Sequence, residues 1–509
     1  MPGAPTEPRP PASASAADPA PRPEALTSAA AVGRAWTRAW MKVGTRWLPF
    51  ADAATEELPI GRLLRLGLFQ VTVGAMLTLL TGTLNRVMIV ELRVPASVVG
   101  WMLALPLFVA PFRALIGHKS DTYRSVLGWR RVPYLWFGTM MAWGGLAILP
   151  FSLILLSGDT RGGRAEAVIL SALSFLLVGG GMHTTQTAGL ALATDLAPAR
   201  VRPRVVALLY LMLLLGTFAS ALAFGALLRD FTQVRLIQVI QGSAVVALFL
   251  NGIALWKQEP RRPMTRAEVA AAPRPVFRDA WRTFVAGGRS VRLLAAVGLG
   301  IFAFNLQDVL LEPYGGEILN LSVAGTTALT AVSAFGMIVA FWVAARALEQ
   351  GRDPIRVAAL GAVVGMLGFV AVIFASPLET LPLFQFGVLC IGFGEGCFAV
   401  GTLSFAMALP RGEHGIALGA WGAVYATSEG LALAGSGIVK DALSALIARG
   451  TLTGGMAAPQ VPYSFVYHAE VYLLFATLIA LGPLVAERRA GAGAALEATR
   501  RFGLADLPG

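Results

Sequence analysis

Twelve long apolar stretches, each near the ~20 residues a helix needs to cross a bilayer, constrain this chain more than any other feature. They fall at approximately 66–90, 94–117, 132–156, 166–194, 204–228 and 234–256. After a polar, Arg/Pro-rich segment they resume at approximately 290–311, 319–345, 355–376, 381–409, 415–439 and 467–486. In hydrocarbon every backbone N–H and C=O has to be satisfied internally, so runs of this length form α-helices. The spacing predicts an all-α membrane protein with 12 transmembrane helices. Its two six-helix halves would be 60–256 and 290–486, joined by a linker at 257–289. Composition agrees: 56% of the 509 residues are hydrophobic and 14% charged, against roughly 25% charged in soluble domains.

A net charge of +12 can signal nucleic acid. Here the basic residues sit between apolar runs and no nucleic-acid module is visible, so the charge reads as membrane orientation. Placing both termini in the cytoplasm puts 32 of the 41 Lys and Arg residues on that side, as the positive-inside rule requires. Residues 1–30, rich in Pro and Ala without an apolar core, read as a disordered tail rather than a secretory signal. Over 31–50, Arg34, Arg38, Lys42 and Arg46 recur every four residues, opposite Trp36, Trp40, Val43 and Trp47. That pattern predicts an amphipathic helix lying in the membrane interface, in contact with lipid. Residues 487–509 form a second cytoplasmic tail. Cys390 and Cys397 lie two helical turns, about 10 Å, apart, too far for a disulfide.

The halves repeat each other. A shift of 212 residues lays Gly180, Gly189 and Pro198 on Gly392, Gly401 and Pro410. A shift of 222 lays LNRVMIV (84–90) on LQDVLLE (306–312). Repeats of this kind build many transporter folds, with the site between them.

Ionisable residues inside such helices mark functional sites by default. His183 sits mid-helix behind Gly179, Gly180 and Gly181, where backbones approach closely or leave room for a flat ligand. Glu395 is its counterpart under the 212 shift and could pair with it, and Gln186 lies one turn along. Gln186 could orient the imidazole or bridge helices. Arg86 and Asp308 occupy matching ends of helices 1 and 7, where they could pair across the halves or reach water separately. Glu91 and Glu312 are expected close to water. Arg113 is expected to anchor the loop after helix 2, Asp195 to pair locally with the Arg200/Arg202/Arg204 cluster, and Glu429 has no evident partner. His118, His414 and His468 lack metal-ligand spacing. No nucleophile elbow, phosphate loop or hydrolase carboxylate pair is visible, so an enzyme is not expected.

The loop GHKSDTYRSVLGWRR (117–131) resembles the 2–3 loop motif of the major facilitator superfamily. In that motif an acid and arginines, here Asp121, Arg130 and Arg131, latch neighbouring helix ends. Asp121 is followed by Thr122, and the stretch before Gly128 is longer than usual. A narrower resemblance is carried by RLLRLGLFQVTVGAMLTLLTGTLNRVMIVEL (62–92), PFRALIGHKSDTYRSVLGWRRVPYLWFG (111–138), HTTQTAGLALATDLAP (183–198), QDVLLEPYGGEIL (307–319) and ALGAWGAVYATSEGLA (417–432). These are similar to the PucC/LhaA, or bacteriochlorophyll delivery, family of photosynthetic bacteria, from about 58 to 486. The Trp-bearing N-terminus followed by LPFADAATEELPIGRLLRL (48–66) looks more like the LhaA branch, which serves the core antenna LH1.

The resemblance implies a major facilitator fold in the bacterial inner (intracytoplasmic) membrane. It implies a part in assembling light-harvesting antennae by handing bacteriochlorophyll to their α and β polypeptides. Bacteriochlorophyll synthase and the membrane insertion machinery are further expected partners; carotenoid is left open. His183 could then be an axial ligand to bacteriochlorophyll magnesium, a cross-helix hydrogen bonder or a proton relay. Glu395 could ligate the magnesium or bond a pigment carbonyl. A proton-coupled secondary transporter of a small solute and a pigment-free assembly scaffold remain alternative functions.

Overall fold

The computed structural model describes residues 58–109, 129, 131–158, 163–198, 201–259, 289–407 and 414–485. All regular structure among them is helical. The first half comprises α1 (Ile60–Glu91), α2 (Ala96–Val109), α3 (Val132–Leu156), α4 (Arg164–Leu196), α5 (Arg202–Leu227) and α6 (Gln233–Leu255). In the second half α7 (Arg289–Asn305) continues through a 3-10 turn (Leu306–Val309) into a short tip (Leu311–Glu317). It is followed by α8 (Val323–Glu349), α9 (Pro354–Ala375), α10 (Leu381–Met407), α11 (His414–Ala448) and α12 (Val461–Leu481). Eleven of these are long and apolar enough to cross a membrane, and the described part of α2 is a shorter apolar helix. Outward faces carry large apolar side chains such as Phe137, Phe151, Phe249, Tyr472 and Ile479, which only a lipid surround makes favourable over so many helices. This is a multi-pass membrane protein.

The expected spans 132–156 and 381–409 lie close to α3 and α10. The gap left at 440–466 between the last two expected spans reads as a long loop, and the structure corrects it. Helix α11 runs on to Ala448 and α12 begins at Val461, leaving a short connection. Ala442, Leu443, Ala445, Leu446 and Ala448 are strong helix formers, and Gly450 at φ +71 ends the helix, with Thr451 N–H bonding Leu446 O at 3.0 Å. Hydropathy alone reads Lys440, Asp441 and Arg449 as loop. The tail, the interfacial helix at 31–50, most of the 2–3 loop, most of the linker and the C-terminal segment lie outside the described residues.

The repeat is visible as paired irregularities. Near its end α1 widens into π-helical turns over Thr78–Leu84 and Val87–Glu91, and α7 tightens into its 3-10 turn at the matching place. The two meet there: Asn85 Nδ2 donates to the Asp308 carbonyl at 3.0 Å. Elsewhere the halves join along α2 against α11 and α5 against α8, pairs that exchange under the repeat. In the first seam a Cβ on Gly100 would stand 2.3 Å from the Leu433 carbonyl, and one on Gly437 would stand 2.3 Å from that of Ala96. In the second, Phe218 and Phe335 have ring centroids 6.2 Å apart.

One charged group fastens the first seam. Asp441 on α11 accepts from the Ala96 amide at 3.2 Å, the Ser97 amide at 2.8 Å and the Ser97 hydroxyl. It thus caps the N-terminus of α2 from the opposite half, where orphan amides and the helix dipole favour a carboxylate. Asp441→Ala is expected to cost about 1–2 kcal/mol, read as an earlier thermal unfolding transition in detergent. An unchanged transition would deny the cap any part in joining the halves.

Candidate functional site: the polar core between the halves

The interior polar groups divide unequally. Away from its two ends, the first half holds neutral groups, several of them bonded to one another. Thr72 donates to Asn251 at 2.8 Å and Asn251 to Thr139 at 2.9 Å, tying α1, α6 and α3 together. Gln186 Nε2 on α4 reaches Gln70 Oε1 on α1 at 3.4 Å, so it bridges helices. His183, half-buried on the same helix, has both ring nitrogens shielded from solvent. The glycines before it are used for close packing, not for an open cradle. A Cβ at Gly181 would meet the Ala142 amide at 2.4 Å, and one at Gly179 would meet Pro106 at 2.4 Å.

The second half instead concentrates acids. Asp308, in the 3-10 turn of α7, accepts from Gln307 Nε2. It lies in electrostatic reach of Glu395 on α10, Glu429 on α11 and Glu312. Glu395 is buried and accepts a hydrogen bond from the Tyr425 hydroxyl. Tyr425 in turn lies near Glu429, Asp308 and Tyr210 of α5, so the cluster reaches across to the first half. Trp421 packs against Tyr425 in a tilted contact with centroids 5.1 Å apart and donates its indole N–H to Thr402 at 3.2 Å, which holds the tyrosine ring in place. Carboxyl and phenol groups brought together this way can exchange protons and hydrogen-bond a polar ligand atom. They are poorly suited to holding a second anion.

Several expected pairings change. Glu395 has Tyr425 as its partner and Glu429 as a like-charged neighbour where His183 was expected, because α4 packs on α1, α2, α3 and α5, all within the first half. Arg86 does not pair with Asp308. It binds the Glu91 carboxylate and donates to the Leu321 carbonyl at 3.3 Å. The π-helical turns carry Glu91 back toward it, while the side chain, 6% exposed, crosses to the second half. Glu312 is 7% exposed, not close to water, and accepts from Thr330 at 3.2 Å.

At the other end of the bundle Arg131, 5% exposed, donates to Asp195 at 3.1 Å, so Asp195 engages the 2–3 loop arginine. Glu259 accepts from the Arg131 and Val132 amides at 3.0–3.2 Å, capping α3. Arg113, Asp121 and Arg130 lie outside the described residues. No group of three or more His, Cys, Asp or Glu side chains fit for a metal ion occurs among the described residues.

Sequence reasoning missed Tyr425, Glu470 and Asp441. The only signal for Glu470 was a single acid inside the run 461–481. Tyr425 and Asp441 gave none, since their partners are remote in sequence.

Known proteins carry the reading further. Residues 83–489 match the family described as PUCC protein. The chain is 54% identical over 469 residues to an uncharacterized protein of the puhA-bchM intergenic region of Rhodobacter capsulatus, covering 91% of this chain and 97% of that one. It is 55% identical over 406 residues to Protein PucC of Rhodovulum sulfidophilum, covering 79% and 89%. Among solved structures it resembles the nucleoside transporter NupG, with a TM-score of 0.58 at 13% identity over 83% of this chain and 99% of that one. Likeness at that identity speaks for the fold alone. The chain therefore belongs to the PucC family, built on the major facilitator fold.

Proposed function

We propose that this protein is a non-enzymatic assembly factor for light-harvesting antennae, the core complex LH1 in particular. In this reading it binds bacteriochlorophyll in the bacterial inner membrane and passes it to the antenna α and β polypeptides. Membership of the PucC family, with relatives above half identity over most of the chain, carries the reading. Bacteriochlorophyll synthase and the insertion machinery would be its neighbours in the membrane.

The residues fit a pigment in part. His183 has the donor chemistry for an axial magnesium ligand: an imidazole whose nitrogens are kept from water. Bound pigment would supply a Lewis-acidic magnesium for that nitrogen. The glycine run gives no slot for a macrocycle, since neighbouring helices fill it. A groove open to lipid between α1, α3 and α6, about 520 Å³ and lined by Trp136, Phe249 and Trp256, offers aromatic walls instead. Gln186, one turn from His183 and bonded to Gln70, would be the polar group beside it, while Glu395 stands apart with Tyr425. Handover follows when the antenna polypeptide offers a better-packed site, a transfer driven by the difference in affinity.

The test is an absorption spectrum with pigment extraction on protein purified in mild detergent from a bacteriochlorophyll-making host. Wild type is expected to retain pigment and folded His183→Leu to lose it. Pigment in both keeps the function and removes His183 from it. Pigment in neither refutes the carrier reading in favour of a scaffold. The acid cluster in a transporter fold supports a second reading, a proton-coupled carrier of a small solute; uptake that follows a proton gradient would establish it.

A further inference from the structure

A line of hydroxyl and carboxyl groups leads from the bundle surface to the acid cluster. It begins in an open pocket of about 730 Å³, where Arg93, Glu317, Lys440 and Asp441 stand among the wall residues. The Tyr463 hydroxyl donates to Glu317 Oε2 at 2.6 Å. Lys440 Nζ lies 3.8 Å from that oxygen and 5.4 Å from the Tyr463 ring centre. Tyr463, Tyr467 and Glu470 are spaced i, i+4 and i+7 on α12, so they form one stripe about 10 Å long. Both tyrosines pack edge-on against Tyr314, at 5.5 and 5.4 Å between centroids. Beyond them Glu470 lies next to Asp308 and the Gln307 amide. Asp308 is itself in reach of Glu395 and Glu429.

Two features set this line apart from ordinary packing. Glu470 and Tyr467 are 0% exposed, and among the described residues neither the Glu470 carboxyl oxygens nor the Tyr467 hydroxyl has a side-chain hydrogen-bond partner. Among those residues, too, no cation faces Glu470 from a packed element. Helix α7 presents Asp308, Glu312 and Tyr314, with the Tyr314 hydroxyl turned to Ser376. Helix α9 carries no titratable side chain between Arg356 and Ala375. On α11 Lys440 and Asp441 stay at the Tyr463 end, and Glu429 lies toward Asp308. A lone carboxylate in such surroundings is costly, whereas the neutral acid is tolerated.

We propose that this stripe is a proton route, by which Glu470 and the Asp308 cluster exchange protons with water in the Glu317 pocket. A proton entering from water sits on the Glu317 carboxylate and passes to the Tyr463 oxygen. Tyr463 then turns from Glu317 and releases its own hydrogen to Tyr467, and Tyr467 relays in the same way to a Glu470 oxygen; these two links are not hydrogen-bonded at rest and form as the hydroxyls rotate. Only O–H bonds form and break, and one proton is gained inside for each one taken from water. The proposal is independent of pigment delivery.

Infrared spectroscopy of the purified full-length protein tests it, because a carboxylic acid absorbs apart from a carboxylate and shifts when its hydrogen becomes deuterium. Wild type minus Glu470→Gln is expected to show an acid band that shifts on transfer to D₂O. In Tyr463→Phe, which keeps the ring packing, that shift is expected about tenfold slower, as for one lost hydrogen bond at the barrier. Tyr467→Phe is expected to slow it similarly, and if Glu470→Gln does not fold, Glu470→Asp, which moves the acid band, supplies the assignment. No acid band assignable to Glu470, or unchanged exchange in both tyrosine variants, would overturn the route.

Discussion

Gly100→Leu is expected to lower stability by about 3 kcal/mol or to prevent folding outright. The new side chain would start 2.3 Å from the Leu433 carbonyl, a backbone atom that cannot turn aside. Relief therefore requires α2 to move off α11, which breaks one of the two seams between the halves and the Asp441 cap beside it. Gly144→Leu on α3 is the control, since nothing lies within 4 Å of a Cβ there. That variant is expected to stay within about 0.5 kcal/mol of wild type. Thermal unfolding in detergent, followed by monodispersity, distinguishes the two. Equal losses would mean that the seam is not closely packed.

Arg86→Met is expected to cost about 1.5–3 kcal/mol, the range for a hydrogen bond to a charged partner. The full 3–5 kcal/mol of a broken buried pair is not reached, because Glu91 is 39% exposed and water can replace the lost partner. The guanidinium also donates to the Leu321 carbonyl and lies against Gly316, both in the second half. Arg86→Lys keeps the charge without the planar fork and should fall between. The double variant Arg86→Met/Glu91→Gln is expected to be less destabilised than the sum of the two single variants. Strict additivity would show that the pair carries no energy of its own, and the tie to Leu321 would then be the important contact.

These two residues show where sequence reading stops. Arg86 was legible as a buried cation at the end of helix 1, and its match to Asp308 under the 222-residue shift was real. The two segments do meet, through Asn85 and the Asp308 backbone. Which acid Arg86 would choose was not legible. The choice depends on a π-helical widening that brings Glu91, five residues on, back to the guanidinium. Gly100 is one of 56 glycines, and nothing local separates it from Gly144.

The candidate site divides in the same way. His183, Gln186, Glu395 and Asp308 stood out because a polar group in an apolar run is expensive wherever it points. Their partners did not, since Tyr425 meets Glu395 only after α10 and α11 have packed. Glu470 fell inside the expected span 467–486 and went unremarked, because only the packing of α12 on α7 brings it beside Asp308.

By itself, then, the sequence determined the helical class, the six-plus-six division, most span limits and the family. Each of these follows from the mean hydropathy of a run, or from matches between runs, and both are properties of contiguous residues. Only the tertiary structure decided the facing of each helix, the gathering of acids in the second half and the cross-half capping of α2 by Asp441. The physical reason is that lipid rewards apolar surface equally on every side of a helix. A membrane helix therefore need not write its packing face into its hydrophobic pattern, and close approach and hydrogen bonding between distant segments settle it.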